Sequence, residues 1–378
     1  MTTTTVVVAM RHDDVVRLAE QSTLGALMLR PDTLTSVRGW LRPDDFADLW
    51  HAQLYTALLE RQHVGGLDPN SMAAVLVDRL GMRAADLPRF ARLLGVTPPH
   101  PDPLAYARMV LDGGLRREAA GLGVLLRAAA LNAAVDRTAA PLTTTCSIVD
   151  AGLETVAARW ASATGQPHDD VVVPLHLRAA VRNTGLEART AADRYLAAHP
   201  PRDPDAELAH VVLLVGTLVA HPDLVPAVAD WLPATRLEHP GWRTIYGTTI
   251  ELTELGHRVD VATVAWAAHQ HAHHGPHLPT LGDLQSAVDA GRFAYPAEVI
   301  GAVAADQVRH LADIGAAHLR AAAANPAVLV GDLVDAGHTI TTALRSTAAA
   351  LPSRAPARQP ADLSARRRAI GDTQAVSR

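Results

Sequence analysis

The chain has 378 residues, of which 48% are apolar, 19% charged and only 4% aromatic, and its formal net charge at pH 7 is −5. That length suits two or three domains, with two the simplest expectation, and the abundance of Ala, Leu and Val beside so few aromatics favours an all-α fold with thin aliphatic packing. The small negative charge gives no long-range field to draw in a polyanion. All 34 positions counted as Lys or Arg are arginine. Without a lysine these residues hold neither a Walker A phosphate loop nor a Schiff-base amine. A single cysteine, Cys146, rules out internal disulfides and a Cys-based zinc site. Met1 to Met10 lacks the marks of a secretory signal, and no apolar run approaches the roughly 18 residues of a membrane span, so the expected compartment is the cytoplasm.

After a flexible start over 1–12, Val15, Leu18, Leu24, Leu27 and Met28 recur at helical spacing and predict a helix over 15–29, ended by Pro31. A short helix over 34–40, a turn at Asp44, Asp45 and Phe46, and a helix over 51–64 stopped by Gly65 and Gly66 follow. Asp68 and Pro69 read as the cap and first residue of a helix ending near Gly81. Next come a short helix over 86–94, a break at 98–101, and a long helix from Asp102 and Pro103 to about Leu131. A helix over 147–163 can fold back on it as an antiparallel hairpin. Residues 164–207 read as a linker with room for a helix between Leu186 and Ala198. A second periodic block covers 208–351. Residues 352–378, rich in Arg, Ala and Pro without an apolar period, are expected to be disordered.

The two blocks repeat each other. At a constant shift of 191, Gly25 falls on Gly216, Pro31 on Pro222, Trp40 on Trp231, Leu41 on Leu232, Tyr55 on Tyr246 and Gly65 on Gly256. The long Ala-rich segments 106–131 and 299–324 end the two copies alike.

The stretch Leu18 to Leu29, with Glu20, Gln21, Ser22, Leu24 and Gly25, resembles the opening of the N-terminal domain of DnaB-type replicative helicases. Asp45, Phe46, His51, Tyr55, the Gly65–Gly66 stop, the Asp68 cap and Tyr106–Ala107–Arg108 continue the resemblance over about 150 residues of copy one, 13–163. Copy two, 208–351, departs from it with Val211 and Val212 where Glu20 and Gln21 stand. The resemblance implies a helical bundle followed by a helical hairpin, without catalytic residues or cofactor, that associates with itself and with replication partners: replicative helicase, primase or a helicase loader. A tandem would form the dimer within one chain, at high effective concentration across a linker of about forty residues.

Other features carry weaker chemistry. His269 and His273 lie four apart, as two metal ligands on one helix face would, within the cluster that includes His271, His274 and His277; a solvated helix end is the plainer account. Asp169–Asp170, Asp203–Asp205 and Glu251–Glu254 read as solvated charge rather than acid–base pairs. Ser22 and Cys146 lack the surroundings of an activated nucleophile. Trp40 and Trp231 suit core anchors better than base-stacking platforms. Arg108, Arg116 and Arg117 offer a partner surface on the hairpin. Arg366, Arg367 and Arg368 in the tail offer non-specific DNA contact, the basis of an alternative function as a DNA-binding protein.

Overall fold

The computed structural model describes residues 12–61, 69–80, 87–168, 173–271 and 278–352. Among the described residues are sixteen α-helices and no strand. In chain order they are α1 His12–Leu29, α2 Leu34–Val37, α3 Leu49–Arg61, α4 Pro69–Leu80, α5 Leu87–Val96, α6 Pro103–Asp136, α7 Ala140–Thr164, α8 Leu175–Arg182, α9 Leu186–Ala197, α10 Pro204–Ala220, α11 Val225–Ala229, α12 Pro240–Glu254, α13 Val261–His271, α14 Leu281–Phe293, α15 Pro296–Ala324 and α16 Val330–Ala348. Helix α6 runs five residues past the expected end at Leu131, α8 lies in the expected linker, and two further boundaries differ for a local reason. Helix α7 starts at Ala140 rather than near 147, because the buried Leu142 and Cys146 hold the β-branched run Thr143–Thr145 in a helix that local propensity disfavours. Helix α10 starts inside the expected linker, where the Asp203 carboxylate caps it by accepting from the N–H groups of Asp205 and Ala206. The Gly65–Gly66 stop and the Asp68 cap lie outside the described residues.

The chain forms two compact units. Unit 1 is drawn from the described residues of 1–128, 145–198 and 312–342, and unit 2 from those of 129–144, 199–311 and 343–378. Unit 1 buries Leu24 and Leu27 of α1, Leu54, Tyr55 and Leu58 of α3, Met72 and Leu76 of α4, and Phe90 and Leu93 of α5. Unit 2 buries Leu214, Val215 and Leu218 of α10, Ile245 and Tyr246 of α12, Val264 of α13 and Leu284 of α14. Trp40 and Trp231 are core residues, 5% and 7% exposed. The 3-10 turns Pro31–Thr33 and Pro43–Asp45 that flank α2 recur around α11 as Pro222–Leu224 and Ala234–Arg236. Each unit also repeats one buried hydrogen bond: the Tyr55 hydroxyl donates to the Leu41 carbonyl at 3.4 Å, and the Tyr246 hydroxyl to the Leu232 carbonyl at 2.7 Å.

Helix α6 corrects one expectation. It is long enough to cross a membrane, and one 18-residue stretch of it, with a mean hydropathy of 1.3, is apolar enough to do so. Its Ala107, Leu111, Leu115, Ala119 and Leu122 are fully buried, the pattern of a core helix. Within unit 1 it packs against α15 in reverse order: Arg116 meets Asn325, Gly123 meets Ala316 and Arg127 meets Asp313. Helices α7 and α16 also meet there, through Asp150 with His338 and Thr341 and through Leu153 with Gly337.

Gly25 and Gly216 explain their repetition. A Cβ on Gly25 would lie 2.0 Å from the Thr97 hydroxyl and 2.8 Å from the Leu93 carbonyl oxygen, and one on Gly216 would lie 1.9 Å from the Ala287 carbonyl oxygen. Only glycine lets α1 approach α5, and α10 approach α14, so closely. Gly216→Ala should therefore cost upwards of about 3 kcal/mol and Gly25→Ala somewhat less, since its nearest obstacle is a side-chain hydroxyl. Gly39→Ala, with open space around it, should stay within about 0.5 kcal/mol of the parent. Urea unfolding of the three variants checks the order.

Candidate partner-binding site

Unit 1 encloses a charged interior that its apolar core must accommodate. Glu20, carried inward by α1, is 1% exposed. Its carboxylate accepts from the Ala47 N–H at 2.5 Å and pairs with His51 Nδ1 at 2.7 Å. Such partners offset the desolvation cost of burying the group. Alongside, Arg159 of α7 is 6% exposed and donates from Nε to the Trp40 carbonyl at 3.0 Å, from Nη1 to Glu118 at 3.1 Å, and from Nη2 to the Asp45 carboxylate. Burial pushes the Asp45 and Glu118 carboxyls above the usual carboxylate range, against the pull of Arg159. A lone arginine late in an Ala-rich helix gave no sign of this role in the sequence.

Unit 2 solves the same positions differently. Val211 and Trp242 stand where Glu20 and His51 do, so both members of the buried pair are replaced together. Arg236 stands where Asp45 does, and its Nη1 donates to the Trp231 carbonyl at 2.9 Å and to the Thr347 hydroxyl at 3.0 Å. Both units thus cap the tryptophan carbonyl with an arginine, reached from the hairpin in unit 1 and from the 3-10 turn in unit 2.

The three hairpin arginines are held in place. Arg108 Nε donates to the Ala163 carbonyl at 2.7 Å. Arg116, 8% exposed, bonds Asp112 and the carbonyls of Asn325 and Val328. Arg117 Nη2 donates to the Asp45 carbonyl. Arg116 and Arg117, without Arg108, line a cleft of about 550 Å³ that also takes in Arg17, Glu20, Asp48 and Arg320. Sequence reasoning missed Arg17 and Arg320 because they are far apart in the chain and neither belongs to a motif. His269 lies exposed in the last turn of α13, whereas His273, His274 and His277 fall outside the described residues, as do Asp169, Asp170, Arg366, Arg367 and Arg368. Among the described residues no three His, Cys, Asp or Glu side chains are grouped to hold a metal.

Glu20 of the opening stretch and Asp45, His51 and Tyr55, which continue the resemblance, are all buried in unit 1. Residues 15–112 match the DnaB-like helicase N terminal domain family. The match covers roughly a quarter of the chain, from α1 into the first turns of α6, and the second block lies outside it. The DnaB-type N-terminal domain is a non-catalytic helicase domain. Neither the curated proteins nor the solved structures gave a match.

The Glu20–His51 pair should behave as one unit. Glu20→Ala, which strands the Ala47 N–H and the imidazole, should cost about 2–3 kcal/mol. In a double-mutant cycle with His51→Ala the coupling should reach about 1 kcal/mol or more by urea unfolding. Effects that simply add would contradict the pairing.

Proposed function

We propose that the protein is a non-catalytic scaffold of DNA replication, built on two helicase N-terminal-type blocks and contacting replicative helicase, primase or a helicase loader in the cytoplasm. The observation that carries this reading is the family match over 15–112 in 378 residues that contain no lysine, and so no Walker A loop for a motor. The second block enters as a divergent copy of the first. Its support is the repeated element order, the repeated tyrosine hydrogen bond and the repeated glycine contact. The reversed pairing of α6 with α15 supports self-association inside one chain. Within unit 1 Gly123 lies against Ala316, which stands at nearly the same place in the second copy.

Capture from the native host's lysate with the full-length protein, followed by mass spectrometry, tests the reading. Replicative helicase, primase or loader should be recovered, and recovery should survive removal of residues 352–378. Retention of nucleic acid alone, lost with that tail and falling steeply with salt, would replace the scaffold by the DNA-binding alternative.

A further inference from the structure

The cleft in unit 1 brings together four guanidinium groups and two carboxylates within about 550 Å³. These six groups are not equivalent. Both carboxylates are occupied from inside: Glu20 by Ala47 N–H and His51, and Asp48 by the N–H of Trp50 at 2.8 Å, where it caps α3. Arg116 and Arg117 are fixed as well, by the bonds to Asp112, Asn325, Val328 and Asp45. Arg17 on α1 and Arg320 on α15 differ. Both are exposed, and among the described residues neither makes an ion pair or hydrogen bond. The cleft therefore has a partly satisfied set of anchored groups and, among the described residues, two exposed guanidiniums that pair with none of them.

We propose that this cleft receives an acidic peptide segment of a protein partner, with a side-chain or terminal carboxylate held in forked hydrogen bonds by Arg17 and Arg320. Guanidinium groups match a carboxylate in shape as well as charge. Four cations stand against Glu20, Asp48 and the Asp112 carboxylate that pairs with Arg116, which leaves a local positive excess in a chain whose net charge is −5. A nucleic-acid backbone fits less well. It needs a track of cations along successive phosphates, whereas this cleft has a short reach and carries Glu20 and Asp48 on its wall. The exposed position of the two arginines suits capture, and the anchored pair behind them keeps the field in place without rearrangement. The proposal rests on the scaffold reading and gives it a partner chemistry.

Fluorescence anisotropy of the full-length protein with a labelled glutamate-rich octapeptide tests it. Arg17→Ala with Arg320→Ala removes only exposed side chains, so the fold should persist, as circular dichroism would verify. This double variant should weaken peptide binding by about tenfold or more. A charge-matched control, Arg182→Ala with Arg194→Ala on α8 and α9 outside the cleft, should change it by less than about twofold. Equal losses in both double variants, or none in either, would overturn the cleft as the site. Tighter binding of a labelled oligothymidylate of the same charge, lost in the cleft variant, would overturn the peptide in favour of nucleic acid. Failure of the scaffold reading is scored separately, since capture from lysate can yield no replication protein while the octapeptide still binds.

Discussion

The guanidinium of Arg116 fixes where one hairpin meets the other in unit 1. At 8% exposure it must satisfy its donors internally. It does so with Asp112 one turn back on its own helix and with the carbonyls of Asn325 and Val328 just beyond the end of α15. Both carbonyls belong to the turn between α15 and α16, where the Asn325 carbonyl already accepts from the Val328 N–H at 3.1 Å, so the guanidinium adds its donors to a turn whose carbonyls keep lone pairs to spare. Once this contact is made, the register of α6 against α15 is set. Gly123 then has to accept the backbone of Ala316, and Arg127 comes into range of Asp313 at 2.7 Å. Small residues at Gly123 of α6 and Ala316 of α15 permit so close an approach.

The two units show that one helical scaffold tolerates opposite solutions at the same positions. Unit 1 keeps a buried carboxylate–imidazole pair and an arginine held by two carboxylates. Unit 2 puts valine and tryptophan where the pair stood and carries its arginine on the 3-10 turn. Replacing a buried ionic pair with apolar side chains of adequate volume is often neutral or stabilising, whereas losing one member alone is costly. At the shift of 191, Val211 and Trp242 stand opposite Glu20 and His51, an apolar pair in line with that rule. Among the described residues, the cleft with its exposed arginines belongs to the unit that kept the charges.

Much of the fold was legible because it rests on local signals. Apolar spacing from Val15 to Met28, Pro31 as a stop, and Asp102 with Pro103 as a start place α1 and α6 closely. Gly25 and Gly216 were visible as a repeat, although their reason, a neighbouring helix within contact of the Cα, is tertiary. What escaped notice was non-local or hidden by composition. Three prolines between 200 and 204 masked the Asp203 cap, and threonines masked the first turn of α7. The ion pairs of Arg159 with Asp45 and Arg127 with Asp313 span 114 and 186 residues, a separation at which periodicity carries no information. For the same reason Arg17 and Arg320 could not be joined from the sequence, and the hairpin arginines looked freer than they are.

The account depends on α15 packing against α6 within a single chain. Arg127→Cys with Asp313→Cys, in a Cys146→Ala background and treated at high dilution with a short bis-maleimide, tests this directly. The account predicts a cross-linked monomer in high yield, cut into linked fragments by proteolysis between the two sites. Cross-linked dimers, or two cysteines that react only singly, would contradict it.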